Sequence, residues 1–176
     1  LNNLYQTCDL PLMPVLLKME RIGVMADKQR LNQLSGVFHQ QLQKLESEIW
    51  ELAGHEFNIA SPKQLGVVLF DELQLTANKK RSTDAESLNE LIDTHPIIDK
   101  ILSWRSIAKL AGTYADTLPQ QIASDGRIHT TYLQTSTNTG RLSSRDPNLQ
   151  NIPIKTEFSS RIRAGFVPEN ENNGVA

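Results

Sequence analysis

The sequence has little that would suit an oxidising or membrane setting. Among its 176 residues there is one cysteine, Cys8, which excludes an internal disulfide and fits a reducing compartment. No apolar run approaches the roughly 20 residues that a membrane-spanning helix needs, and no signal-peptide pattern opens the chain, so a cytoplasmic origin is expected. His39 and His55 have no second His, Cys or carboxylate at a metal-binding spacing, which leaves them as surface or capping groups. What is present is ordinary for a soluble globular protein. Hydrophobic residues make up 39% and charged residues 22%, and the length allows one sizeable core or two small ones.

The charge, however, is placed rather than spread. From Thr137 to Phe166, Arg141, Arg145, Lys155, Arg161 and Arg163 face only Asp146 and Glu157, a local +3 in a chain of formal net charge -2. Gly140 gives a backbone position free to take positive φ, and Arg141 beside it carries a planar fork of donors. Asp146-Pro147-Asn148 reads as a turn, Gln150 and Asn151 offer amide donors and acceptors, and Pro153 keeps the segment out of a central strand. Arginines and amides on irregular backbone suit a ligand rich in acceptors, of which a nucleic-acid backbone and minor groove is the commonest.

Upstream the periodicity is helical. Residues 1–10 read as a tail or linker. Leu12, Val15, Leu16, Met19 and Ile22 then trace one stripe of a helix that Gly23 closes. Asp27 is positioned as the N-cap of a long helix to about Ala53, with Leu31, Leu34, Phe38, Leu42, Leu45, Ile49 and Leu52 on its buried face. Ser61-Pro62-Lys63-Gln64 and Thr83-Asp84-Ala85-Glu86 are two capping boxes, the second starting a helix to about Thr94. A further helix is expected from Ile97 to Leu118, placing Arg105 and Lys109 four residues apart on one face. Lys79, Lys80 and Arg81 form a basic loop, either an ordinary solvated turn or a phosphate contact. After the turn at Ser124-Asp125-Gly126-Arg127, Ile128 to Thr135 alternates like a strand, and Glu157 to Phe166 suits a strand or short helix.

T-x-T-G-R-L-S-S-x-D-P-N-L-Q-N-I-P, standing as Thr137 to Pro153, resembles the primer-template-binding signature of family A DNA polymerases, the bacterial DNA polymerase I type. The resemblance extends to Pro11–Val24, to Ser61–Leu65 and to Trp104, Arg105, Ala108, Lys109 and Leu110. It implies a mainly α fold: a linker from an upstream exonuclease-like region over residues 1–11, a helical thumb over 12–118, and over 119–176 the start of an α+β palm with a short antiparallel β portion. It also implies primer-template DNA as partner. Arg141 would reach the minor-groove edge of the primer end, Asn148, Gln150 and Asn151 would hold the junction, and Arg105, Lys109 and Lys155 would neutralise phosphates. Two departures, Lys155 where Arg is commoner and Asn138 where small or apolar residues are usual, touch nothing essential. In the family, the Asp of an S-A-D-Y-S-Q strand after the equivalent of Phe166 and Val167 is the first metal ligand. The resemblance therefore implies no catalytic residue or metal site in this segment, with Mg2+ and deoxynucleoside triphosphates belonging to the full-length enzyme. Two rivals are a stand-alone nucleic-acid-binding module and a purely structural helical interaction domain.

Overall fold

A computed structural model describes residues 2–75, 81–154 and 157–168. It is mainly helical, with two small antiparallel two-stranded sheets. The chain divides into two compact units, residues 1–35 with 112–176, and residues 36–111.

In the first unit, helix begins much earlier than the composition of residues 1–10 suggests. α1 (Asn2–Leu4), a π-helical turn (Tyr5–Asp9) and α2 (Leu10–Ile22) run on without a break. The stripe on α2 is only partly buried: Leu16 is inside and Leu12 half-buried, while Val15, Met19 and Ile22 are about half exposed. One apolar stripe assumes one covering partner, and within this unit the cover reaches Leu16 alone. Gly23 closes the helix as expected, donating its N–H to the Met19 carbonyl at 2.9 Å with φ 68°. β1 (Val24–Met25) follows at once and pairs antiparallel with β2 (Arg127–Ile128), while Ala26 bridges to Phe166 on its other side.

α3 (Lys28–Ala53) starts where Asp27 predicts, the carboxylate accepting the Arg30 N–H at 2.9 Å. Leu31, Leu34, Phe38, Leu42 and Ile49 are buried, and Leu45 and Leu52 half-buried, as the spacing requires. Replacing Asp27 by alanine should cost about 1 kcal/mol, read as a lower midpoint in urea with unchanged slope.

The second unit packs around Ile49, Ile59, Leu65, Leu69, Leu88, Ile97, Ile98 and Ile101. α4 (Pro62–Gly66), a π-helical turn (Val67–Glu72), α5 (Ala85–Asn89) and α6 (Pro96–Leu110) carry most of this core, with Ile49 from α3 and Ile59 from the loop before α4. Ser61 caps α4, but the reciprocal half of the capping box is redirected, because the Gln64 side chain accepts the Asn58 N–H at 2.7 Å instead. The second box moves by one residue: Asp84, not Thr83, caps α5 by accepting the Ser87 N–H at 2.7 Å. α5 is also shorter than expected: after Asn89 the backbone closes into tighter turns, Leu91, Ile92 and Thr94 donating to the Leu88, Asn89 and Leu91 carbonyls. His95 then caps α6, its Nδ1 accepting from the Ile97 N–H. Beyond α6 the chain widens into a π-helical turn (Ala111–Ala115), and Pro119 sits inside a 3-10 turn (Leu118–Gln120) of the first unit.

The strand expected over 128–135 divides in two. Ile128 ends β2, whereas β3 (Thr131–Leu133) pairs antiparallel with β4 (Ser143–Arg145). Glu157–Arg163 is helical, α7. Among the described residues no helix is long and apolar enough to cross a membrane.

Candidate nucleic-acid interface

The signature segment is the loop and outgoing strand of the β3–β4 hairpin. Thr131, Tyr132 and Leu133 pair with Arg145, Ser144 and Ser143, and Gly140 turns the chain back with φ 73°. No atom lies within 4 Å of where a Cβ on Gly140 would stand, so backbone conformation and not crowding selects glycine here. The Thr137 hydroxyl donates to the Arg141 carbonyl at 2.7 Å, pinning the backbone while the Arg141 side chain stands exposed.

The small hydroxyl residues turn inward. Thr130 and Ser144 are buried at 4% and 2% exposure, and both spend their oxygens on backbone. Thr130 Oγ1 lies 3.0 and 2.7 Å from the carbonyl oxygens of Arg145 and Pro147, sharing its one proton between them. Ser144 Oγ accepts the Leu149 N–H at 3.1 Å. Asn148 Oδ1 accepts the Gln150 N–H at 3.0 Å, a local turn that commits its carbonyl and leaves its NH2 as the outward donor. Asp146 sits at φ 56° before a cis peptide to Pro147, consistent with its reading as a turn residue. The result is a division of labour: hydroxyls fix the loop from below, and Arg141, Gln150 and Asn151 are displayed. Among the described residues their side chains make no hydrogen bond or ion pair.

Two residues that build this surface carry no local sequence signal. Glu20, in the last turn of α2, accepts the Tyr132 N–H through Oε1 at 2.6 Å and so satisfies an edge donor of β3. Tyr114, which falls inside the helix expected from Ile97 to Leu118 and stands in the π-helical turn after α6, donates its phenol O–H to the Asn151 carbonyl at 2.6 Å. Their partners are 112 and 37 residues away, beyond any window that periodicity examines.

His129 clamps the same region. Its Nδ1 lies 2.8 Å from the Glu20 carbonyl and its Nε2 3.0 Å from Asp125 Oδ2. Both partners are acceptors, so the imidazolium, a donor at each nitrogen, is favoured. The Glu20 carbonyl first, and Asp125 second, raise the His129 pKa above 6.5. The His129 hydrogen bond in turn lowers that of Asp125. A raised folded-state pKa means stabilisation that is complete below the ordinary histidine value and is lost as pH rises through the raised one. The melting-temperature advantage of the native protein over a His129→Gln variant should therefore be larger at pH 6 than at pH 8.5.

In the 36–111 unit, α6 places Arg105 and Lys109 one turn apart, as the spacing requires. Their situations differ. Lys109 is exposed and, among the described residues, unpaired. Arg105 is half-buried and one of its five donors is committed, Nη1 donating to the Thr83 carbonyl. Burial lowers its pKa and the Asp84 carboxylate partly offsets this. Arg105 lines an open cleft of about 560 Å³ with Pro62, Thr83, Asp84 and Trp104. Arg81, the described member of the basic loop, is spent locally, paired to Asp71 at 2.5 Å and lying 5.4 Å from the Phe70 ring centre. Lys79, Lys80 and Lys155 lie outside the described residues.

Among the described residues no three His, Cys, Asp or Glu side chains come together as a metal site. The donor set for a catalytic Mg2+ is thus not found in them. Asp146, the carboxylate inside the signature, stands alone with Arg145 Nε at 3.8 Å.

Comparison with known proteins bears on this geometry. Residues 28–176 match a family model described as DNA polymerase family A. The chain is 46% identical over 170 residues to DNA polymerase I of Treponema pallidum, covering 94% of this chain and 17% of the relative. Against the thermostable DNA polymerase I of Thermus aquaticus it is 48% identical over 173 residues, with 94% of this chain and 21% of the relative covered. It thus spans about a fifth of the length of such relatives. Among solved structures, it superposes on the POL domain of Pol1 from M. smegmatis in complex with DNA primer-template and dNTP. There the TM-score is 0.84 at 44% identity, over 90% of this chain and 29% of that one.

Proposed function

The chain belongs to DNA polymerase family A, and from that premise we propose that it is the primer-template-gripping part of a DNA-directed DNA polymerase, a nucleotidyltransferase of DNA replication and repair. In this reading residues 1–11 lead in from an upstream exonuclease-like region, residues 12–118 form the thumb and residues 119–176 begin the palm. The observation that carries it is the display of Arg141, Gln150 and Asn151 on a loop whose backbone is fixed by Thr137, Thr130, Ser144 and Tyr114. That the related POL domain was solved in complex with primer-template DNA and dNTP supports the ligand class.

Arg141 offers its fork to the minor groove, where A·T and T·A pairs present only acceptors and G·C adds one donor. A single arginine there reads the shape of a correct pair almost without regard to sequence. The Asn148 NH2 and the amides of Gln150 and Asn151 hydrogen-bond the strands near the primer end. Lys109, the remaining donors of Arg105, and Lys155 meet phosphates, adding affinity and salt dependence but no sequence reading. Lys79 and Lys80 extend that contact, with Arg81 contributing less because of its pair with Asp71. The nucleotidyl transfer, in which bound Mg2+ would activate the primer hydroxyl and stabilise the leaving pyrophosphate, is assigned to other parts of the full-length protein, along with dNTP binding.

Fluorescence anisotropy of the full-length protein on a recessed primer-template and on a blunt duplex, at two salt concentrations, tests the reading. Tighter, salt-sensitive binding at the recessed end is expected. Equal binding to both ends would remove the primer-gripping role, and no binding to either would remove DNA as the ligand.

A further inference from the structure

The turn over residues 148–151 is closed from within and anchored from without by different groups. Ser144 Oγ and Asn148 Oδ1 accept from the Leu149 and Gln150 N–H groups, so these two bonds fold the segment on itself. Among the described residues, the bond that ties residue 151 to another element comes from Tyr114. Tyr114 is 5% exposed. It lies in the π-helical turn Ala111–Ala115, where the wider winding turns the residues after α6 out of that helix's register.

The segment bearing this tyrosine is itself braced. Ser35 Oγ donates to Asp116 Oδ1 at 2.5 Å, the Thr117 hydroxyl donates to the Thr113 carbonyl at 2.6 Å, and the Gln120 amide donates to the Asp116 carbonyl at 2.9 Å. Ala115 and Leu118, just after it, are fully buried. Burial also raises the Tyr114 pKa, which keeps the phenol a donor at any working pH. A rigid buried donor thus ends on the backbone carbonyl of a residue whose own amide side chain is exposed and, among the described residues, unpaired.

We propose that Tyr114 is a positioning residue for primer-end recognition, setting through the Asn151 carbonyl the direction in which the Asn151 amide meets the nucleic acid. The inference rests on the DNA-gripping reading above. Without the phenol oxygen, residue 151 keeps its side chain but loses the fixed backbone that aims it, and a hydrogen bond aimed by a mobile backbone costs more ordering on binding.

The test is a cycle in the full-length protein: wild type, Tyr114→Phe, Asn151→Ala and the double variant, with anisotropy on recessed-primer and blunt duplexes and a thermal melt of each. Tyr114→Phe is expected to lower the ratio of recessed to blunt affinity by about threefold to tenfold, the size of one hydrogen bond, and to lower it no further in the Asn151→Ala background. A ratio equal to wild type overturns the inference, even if the melting temperature falls, because a merely structural bond would weaken both duplexes alike. Full additivity of the two substitutions overturns it as well, since Tyr114 would then act elsewhere. If Asn151→Ala leaves the ratio unchanged, the inference fails while DNA binding stands. If wild type itself shows no preference, the underlying reading fails first.

Discussion

Replacing Arg141 by alanine should weaken binding of the full-length protein to a recessed primer-template by about 1–3 kcal/mol, roughly fivefold to 150-fold, whatever the sequence of the terminal pair. The size follows from what the side chain offers. It is exposed and, among the described residues, free of hydrogen bonds, so no intramolecular bond is given up when DNA takes its donors. Its backbone is already held by the Thr137 hydroxyl at 2.7 Å, so little ordering remains to oppose binding. Lysine in its place should recover charge but not the fork, restoring salt-dependent affinity more fully than primer-end preference. Folding should be unaffected by either change, because the side chain packs against nothing that the fold needs. Lys109→Ala makes the useful contrast: a weaker loss, uniform across duplex ends, with a salt slope reduced by about one.

The second large effect is on stability. Gly23→Ala should cost about 3 kcal/mol, from two independent sources. With φ 68° and ψ -176°, Gly23 occupies a region that is essentially closed to residues with a Cβ. A Cβ there would also stand 2.8 Å from the His129 ring and 2.9 Å from the Ile128 carbonyl oxygen. The ring could turn aside only by leaving the Glu20 carbonyl and Asp125, and the carbonyl belongs to the strand that pairs with β1. Neither neighbour yields cheaply. The substitution should lower the melting temperature by roughly 6–12 °C for a chain of 176 residues. Truncating His129 to alanine should relieve only the ring's part of the steric share and leave the Ile128 carbonyl clash and the backbone share in place.

These two positions were legible in the sequence to different depths. Arg141 stood out because the residues around it, a glycine, small hydroxyls, a turn and paired amides, made sense together only as a displayed loop. Gly23 was legible as the end of a helix, which it is, but nothing local revealed that a strand more than a hundred residues later passes against it. The same contrast runs through the fold. Helix starts at Asp27 and Ser61 were readable because a cap is a bond between near neighbours. The buried face of α3 was readable because its period repeats over 26 residues. What failed were inferences needing a partner. The stripe on α2 was read as one buried face, yet Val15, Met19 and Ile22 are exposed. Composition alone gave no sign that residues 2–9 run as helix into α2. The cap of α5 moved to Asp84 because the Thr83 carbonyl is held by Arg105 from α6, a contact that no capping pattern contains. The single strand expected over 128–135 became two because the chain changes partner there: β2 pairs with β1 and β3 with β4, while His129 and Thr130 between them bond to Glu20, Asp125 and the 145–147 backbone. Within the interface, sequence identified the displayed groups and missed the supports, Glu20 and Tyr114.

The most direct test of the account is a cycle between Arg141 and one atom of the DNA. A primer-template whose primer-terminal adenine is replaced by 3-deazaadenine loses the minor-groove N3 acceptor and keeps its pairing edge. Affinities of wild type and Arg141→Ala would be measured on the natural and modified duplexes. If Arg141 grips that edge, removing the acceptor should weaken the wild type by about the same factor as removing the arginine, and should have no effect on the variant. Equal weakening of both proteins, or none in either, would contradict the assignment of this loop to the primer end.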